Sequence, residues 1–184
     1  MKRHSLLIGT GLILLCVGFS VVAGTKNPAK DPAKRKTLNR QEIINSLQKM
    51  VKGEEEIVFN TALEDMATLL SAGNDKELCA EFFKLILSRG NNALDGEFGE
   101  AVPPFLAEIF WNNSDFVSET IKQYANRPLP KDSLWYSVWN VKTEEQLLYT
   151  VLEAGWKDFL HGKNPNDPKI IELTKRLKAL QSGR

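Results

Sequence analysis

An all-α domain is the fold class that this sequence predicts, as a compact helical array or irregular bundle of about six to eight helices. Apolar residues recur at intervals of three and four along most of the chain, as they do on one face of a helix. Residues that cap helix N-termini precede these stretches, and glycines follow several of them. No stretch shows the sustained apolar–polar alternation that is typical of a half-buried strand.

Capping residues and glycines mark the first three predicted helices. Asn39 and Glu42 have the spacing of a capping box at the start of the first helix, which Gly53 ends. Glu54, Glu55 and Glu56 then favour the start of a second helix, because acidic side chains stabilise the positive end of a helix. Gly73 lies just beyond the end of this second helix. Asn74 is the predicted cap of the third helix. The apolar residues expected to face the core in these helices are Ile43, Ile44, Leu47, Met50, Val51, Ile57, Val58, Ala62, Leu63, Met66, Leu69, Leu70, Leu78, Phe82, Leu85 and Ile86.

Prolines interrupt the helical pattern of the next segment. A fourth helical region is predicted from about Gly96 to Trp111. Because proline fits a first helical turn and not a helix interior, Pro103 and Pro104 predict a kink or a restart there. Ser114 is predicted to open the helix that follows.

A break over residues 127–131, which contain two prolines, precedes the last part of the domain. Residues 132–140 favour a short helix, although their aromatic and β-branched composition would also suit a strand. Thr143 and Gln146 predict the cap of a long helix. Asp167, followed directly by a proline, predicts the start of the last helix.

Two predicted helix–turn–helix connections, at residues 70–75 and 110–115, are related by a spacing of about 40 residues. That spacing is near the one expected of HEAT-type helical hairpins. The side chains around the two turns match poorly. HEAT-like helical hairpins are therefore the alternative to an irregular bundle.

The N-terminal residues 1–24 have the layout of a signal peptide or membrane anchor. Two basic residues precede an uncharged apolar stretch over residues 5–24, which ends on small residues suited to cleavage after Ala23. The stretch of about 20 residues is also long enough to span a bilayer if it is not cleaved. Lipid attachment at Cys16 is disfavoured because Leu15 before it is not small. The predicted location is the periplasm, the cell surface or the extracellular space.

Charge is unevenly distributed along the rest of the chain. Residues 25–38 form a basic linker rich in proline and lysine, and residues 39–184 form the predicted single domain. Fifteen acidic and only five basic residues lie in residues 41–121, whereas residues 169–184 are basic again. An acidic centre favours a basic protein as partner and disfavours nucleic acid, which needs clustered basic residues on a folded face.

No catalytic, cofactor-binding or metal-binding residue set emerges from the sequence. His161 is the only histidine after residue 24, and its place at the end of a predicted helix favours a capping role. Cys79 lies in a helical apolar pattern and is predicted to belong to the core. Paired carboxylates among Asp95, Glu97 and Glu100 are the remaining route to an enzyme.

An aromatic group is the strongest residue-level indication of a binding site. Trp135, Tyr136 and Trp139 fall within five residues, and on a helix the two tryptophans would share a face. They predict a hot spot for a protein partner. The favoured alternative is that they clamp the break before the long helix and meet Trp156 in the core.

These observations predict a non-enzymatic, exported or membrane-tethered helical module that binds another protein. An immunity or inhibitor protein of the bacterial envelope, with an acidic face that blocks a basic partner, is the sharper form of this hypothesis. A carboxylate-dependent hydrolase of the cell envelope and a structural envelope component are the alternatives.

Overall fold

The computed structural model describes residues 36–58 and 60–182. Over these residues the chain contains seven α-helices and no β-strand, which confirms the all-α prediction. No helix in these ranges is both long enough and apolar enough to cross a membrane. The predicted leader over residues 1–24 and nearly all of the predicted linker lie outside the described residues. The helices are α1 (Arg40–Lys52), α2 (Thr61–Ala72), α3 (Lys76–Ser88), α4 (Gly96–Lys122), α5 (Leu134–Ser137), α6 (Glu144–Phe159) and α7 (Pro168–Ser182), with a short 3₁₀ helix at Gly90–Asn92.

Both predicted capping boxes form. The Asn39 side chain accepts a hydrogen bond from the backbone N–H of Glu42 at 3.0 Å, and the Glu42 carboxylate accepts one from the N–H of Asn39 at 2.8 Å. Thr143 and Gln146 make the same reciprocal pair at the start of α6, each at 3.3 Å. Gly53 ends α1 with a φ of 75°, in the left-handed region that favours glycine. These helix ends are set by residues within one turn of each other.

The start of α2 differs from the prediction. The three glutamates precede the helix instead of opening it, and Asn60 is the cap, with its side chain accepting from the N–H of Ala62 at 2.8 Å. Glu55 instead accepts hydrogen bonds from the Asn60 amide at 2.9 Å and from the Ser46 hydroxyl at 2.6 Å. This carboxylate therefore ties α1 to the cap of α2, a contact that helix-dipole reasoning does not reveal.

The cap of α3 is Asp75 and not the predicted Asn74. The Asp75 carboxylate accepts from the N–H of Leu78 at 3.0 Å and also from the guanidinium of Arg40, which lowers the pKa of the carboxyl group. Asn74 has another partner, because its side-chain oxygen accepts from the amide of Asn113. The ion pair between Arg40 and Asp75 links the starts of α1 and α3, and the cap lies one residue later than predicted.

The break within α4 does not lie at the prolines. Pro103 and Pro104 are inside continuous helix, so the predicted kink there is wrong, and the non-helical residue is Asn113, with φ −144° and ψ 54°. A helical run then restarts after it, where Ser114 was expected to open a helix. An interior proline costs a helix about 3 kcal/mol. The backbone of α6 packs directly on Pro103 at Gly155, and such packing outweighs a propensity of that size.

Asn113 joins its own kink to the turn between α2 and α3. Its amide nitrogen lies 3.1 Å from the carbonyl oxygen of Leu70, 3.0 Å from that of Gly73 and 3.0 Å from the side-chain oxygen of Asn74. We expect Asn113→Ala to lower the free energy of unfolding by about 1–3 kcal/mol, because partly buried carbonyl groups lose their donor. Urea denaturation followed by circular dichroism measures this. The exposed neighbour Asn112 is the matched control, and equal losses from Asn113→Ala and Asn112→Ala would contradict the assignment.

The core runs between α4 and α6 and continues under α1, α2 and α3. Cys79 is buried in it, as its helical pattern predicts. At one end, Trp156 packs among aromatic rings of α4 and α6, and its indole N–H donates to the Thr174 hydroxyl of α7 at 2.9 Å. The largest fully buried side chains include Tyr149, Phe82, Phe83, Phe110, Ile43, Leu47, Met50, Leu63, Met66, Leu70, Leu78 and Leu85.

Candidate partner-binding surface

An apolar surface lies around the short helix α5. Leu134, Val138 and Trp139 are 52%, 67% and 68% exposed, and they fall within six residues of sequence. We call these three residues the Trp139 surface. Exposed apolar patches mark interaction sites more often than single exposed residues do, and a tryptophan ring adds a large area to such a patch. Trp139 is the most exposed of the large hydrophobic residues that the structure describes.

Trp135 anchors this surface to the rest of the domain. Its ring is only 5% exposed, and its indole N–H donates to the carbonyl oxygen of Gly90 at 2.6 Å. The side chain of Asn91 accepts from the N–H of Leu134 at 2.8 Å. The carbonyl of Trp135 itself accepts from the N–H of Val141 at 2.8 Å. These hydrogen bonds fix the segment to the 3₁₀ helix, so the exposed side chains extend from a backbone that is held in place.

Local sequence explains why the helix is so short. Ser133 caps it, with its hydroxyl oxygen accepting from the N–H of Tyr136 at 3.2 Å. Asn140 then adopts a φ of 54°, which asparagine tolerates better than most residues and which turns the chain away. The helix ends at Ser137, before Trp139. The predicted short helix over residues 132–140 is confirmed, and the strand alternative is wrong.

The structure divides the predicted aromatic group. Trp135 is buried, Tyr136 is half-buried and Trp139 is exposed, with the two indole rings 6.3 Å apart. The expectation that this group meets Trp156 in the core is wrong, because the described ring neighbours of Trp156 are Phe110, Trp111 and Phe159. Trp135 and Trp139 would share a face only on a continuous helix. Because α5 ends between them, one tryptophan is buried and the other is exposed. Binding of a partner through these residues stays a prediction.

Comparison of the chain with protein-family models, with curated proteins and with solved structures found no match.

A cleft of about 440 Å³ adjoins the Trp139 surface through the buried ring of Trp135. Its lining combines apolar side chains with two carboxylates, those of Asp132 and Glu144. One oxygen of Glu144 is buried and accepts no hydrogen bond from the described residues, and its nearest cation, Arg127, is 3.8 Å away. Burial raises the pKa of this carboxyl group, and Arg127 opposes the shift. The apolar lining consists of Leu87, Leu129, Pro130, Trp135 and Leu147.

This cleft can chemically accommodate a lysine or arginine side chain. The aliphatic stem of such a side chain would lie against the apolar walls, as long cationic side chains do elsewhere. Its charged end would reach the carboxylates. Sequence reasoning missed Leu134, Val138, Asp132 and Glu144. The apolar residues next to the tryptophans were a usable signal, whereas an acidic residue in the first turn of a helix, such as Glu144, is common and indicates no site.

Asp95, Glu97 and Glu100 do not all line one cleft, although Glu97 shares a cleft with each of the other two. Asp95 and Glu97 line a cleft of about 690 Å³ that also contains Glu55 and Arg89. Glu100 lines a different cleft of about 350 Å³, which Glu97 also borders. Asp95 uses its side chain to accept from the N–H of the next residue, at the start of α4.

The remaining reactive side chains lie apart from these clefts. Burial raises the pKa of the Cys79 thiol to about 12, which suppresses the reactive thiolate. His161 is exposed just beyond the end of α6. Within residues 36–58 and 60–182, no three or more metal-ligating side chains are grouped where they could hold an ion.

Proposed function

We propose that this chain is an exported or membrane-tethered helical module of the bacterial envelope that binds a basic segment of another protein and is not an enzyme. The observation that carries the proposal is the Trp139 surface, an exposed apolar group on a backbone held by the buried Trp135. Hot spots of protein interfaces are enriched in tryptophan. The apolar leader over residues 5–24 supports the proposed location.

Charge supports a basic partner. Two carboxylates line the cleft beside the Trp139 surface among apolar walls, and the sequence of residues 41–121 is strongly acidic. Complementary charge of this kind speeds association and helps to exclude wrong partners. An immunity or inhibitor protein would use such a surface to cover a basic site on its target. The contact of Asn113 with the turn after α2 also supports a HEAT-like pairing of hairpins, because it joins the two turns related by about 40 residues.

Site-specific photo-crosslinking in native envelopes tests this proposal. A photoreactive amino acid is placed at Trp139 in the full chain and, as a control, at Leu69, which is 42% exposed on α2. We expect a discrete cross-linked protein from position 139 and not from position 69. Equal labelling from both positions, or labelling of lipid alone, would contradict the proposal. Turnover of cell-wall material that is abolished by one Asp or Glu substitution would favour the hydrolase instead.

Trp139→Ala is expected to weaken binding of the cross-linked partner at least tenfold, which is a loss of about 1.4 kcal/mol or more. The physical reason is that an exposed ring buries its area only in the complex.

Glu144→Gln is expected to reduce the salt dependence of the same affinity, because it removes a charge from the adjoining cleft. Calorimetric titration with the purified partner measures both effects. Leu69→Ala is the control and should bind as the wild type does.

A further inference from the structure

A second groove lies between the end of α6 and α7, on residues that the proposed function does not use. Its volume is about 520 Å³, within the range of small-ligand sites. Apolar side chains and three lysines line it, and no acidic residue does so. The lining residues are Leu160, Lys163, Pro165, Ile170, Ile171, Thr174, Lys175 and Lys178.

The apolar part of the groove is built by neighbouring residues of α7 and the loop before it. Ile171 is 55% exposed, which is unusual for isoleucine on a packed helix. Ile170 is buried, at 6% exposure, yet it does not belong to the contiguous core, to which α7 contributes Leu173 and Leu177 instead. The floor of the groove therefore lies at the edge of the core, where Leu160 packs against it.

Two of the lysines lie on α7, and the third lies in the loop after α6. Ile171, Lys175 and Lys178 follow each other at intervals of four and three residues, so they lie along one face of α7. Across the groove, the Lys163 ammonium lies 4.3 Å from the centroid of the Phe159 ring, a cation–π contact that holds it near the end of α6. Positive charge thus borders apolar surface on two sides.

We infer that this groove binds an anionic amphiphile, with an acyl chain on Leu160, Ile170 and Ile171 and a carboxylate or phosphate headgroup at the lysines. The pattern matches such a ligand because apolar area and positive charge occur side by side and the lining contains no carboxylate to repel an anion. A concave site of this volume fits a single chain better than it fits a protein helix, which needs a longer apolar track. The inference is independent of the Trp139 surface.

Titration of the purified full chain with decanoate, below its micelle concentration, tests the inference. We expect saturable binding at one site per chain. Decyl maltoside, which has the same chain without charge, and butanoate, which has the charge without the chain, are expected to bind at least tenfold more weakly. Similar affinities for decanoate and decyl maltoside would overturn the inference, because the lysines would then contribute nothing.

Variants locate the binding in the groove. Ile171→Asp and the double variant Lys175→Glu, Lys178→Glu are each expected to weaken decanoate binding at least tenfold. Leu69→Asp and Lys131→Glu, at an exposed aliphatic residue and an exposed lysine outside the groove, are the controls and should leave the affinity unchanged. Circular dichroism and the urea midpoint of each variant show that it is folded. Unchanged binding by the folded groove variants would overturn the inference.

Vesicles separate the two sources of such a ligand. If phosphatidylglycerol vesicles but not decanoate bind, and Ile171→Asp weakens vesicle binding relative to Leu69→Asp, the headgroup and chain belong to a bilayer lipid. Decanoate binding that Ile171→Asp abolishes assigns the groove to a free amphiphile. An acidic amphipathic peptide that binds while both amphiphiles fail would overturn the inference.

Discussion

Gly155→Ala is expected to lower the free energy of unfolding by about 3 kcal/mol. A Cβ atom at this position would lie 2.0 Å from the carbonyl oxygen of Pro103 and 2.3 Å from its carbonyl carbon. These are backbone atoms of α4, so no side-chain rotation relieves the clash, and α4 and α6 would have to separate. They form the most extensive helix pair of the domain. Urea denaturation followed by circular dichroism gives the change.

The sign of this result separates two effects. Within a helix, alanine is intrinsically better than glycine by about 1 kcal/mol, so without the clash Gly155→Ala would stabilise the protein. Gly73→Ala is the matched control, because a Cβ there meets only the carbonyl oxygen of Leu69 at 3.5 Å and its backbone is extended. We expect no loss from the control. A Gly155→Ala variant as stable as the wild type would show that α4 and α6 do not approach in this way.

Trp156→Ala is expected to cost about 3–5 kcal/mol of unfolding free energy. The Trp156 ring makes an edge contact with Phe110 at 5.6 Å and stacks on Phe159 at 5.5 Å. Its indole N–H also donates a hydrogen bond to the Thr174 hydroxyl. The variant therefore loses this bond and leaves a cavity where α7 covers α4 and α6. Thermal and urea denaturation both measure the loss.

Trp139→Ala serves as the control for this prediction, since it is the same substitution at a residue that is 68% exposed. Surface changes of this kind alter stability by about 0.5 kcal/mol or less. The pair of variants therefore compares one residue type in two environments. Equal destabilisation by both substitutions would mean that Trp139 contributes to the core, and it would remove the basis for the Trp139 surface.

The helices and most of their ends follow from the sequence because the interactions that set them are local. Asn39 with Glu42, and Thr143 with Gln146, bond across three residues. Asp167 accepts from the N–H of Lys169, only two residues away. The apolar spacing likewise needs no knowledge of the partner helix, since a stripe must be buried against something. Such features can be predicted from one short stretch of sequence at a time.

The errors in the prediction occur where a distant residue competes with a local one. Arg40 forms an ion pair with Asp75, the residue that caps α3, 35 residues away in sequence. The Asn113 amide donates a hydrogen bond to the side-chain oxygen of Asn74, 39 residues away. Pro103 carried a strong local signal for a kink, yet α6 packs on it from more than 50 residues away in sequence. Local propensity is about 1–3 kcal/mol in such cases, and tertiary packing is of the same size or larger.

The order of residues along the chain is enough to predict that this protein is helical and where most of its helices begin, and it identifies Trp135, Tyr136 and Trp139 as a notable aromatic group. Which tryptophan is buried depends on long-range contacts, because the hydrogen bond that holds Trp135 is made to Gly90, 45 residues earlier. The grooves at Glu144 and at Ile171 also exist only after helices pack. Caps and periodicity depend on neighbours within about one turn, whereas a surface or cleft depends on which distant segments meet.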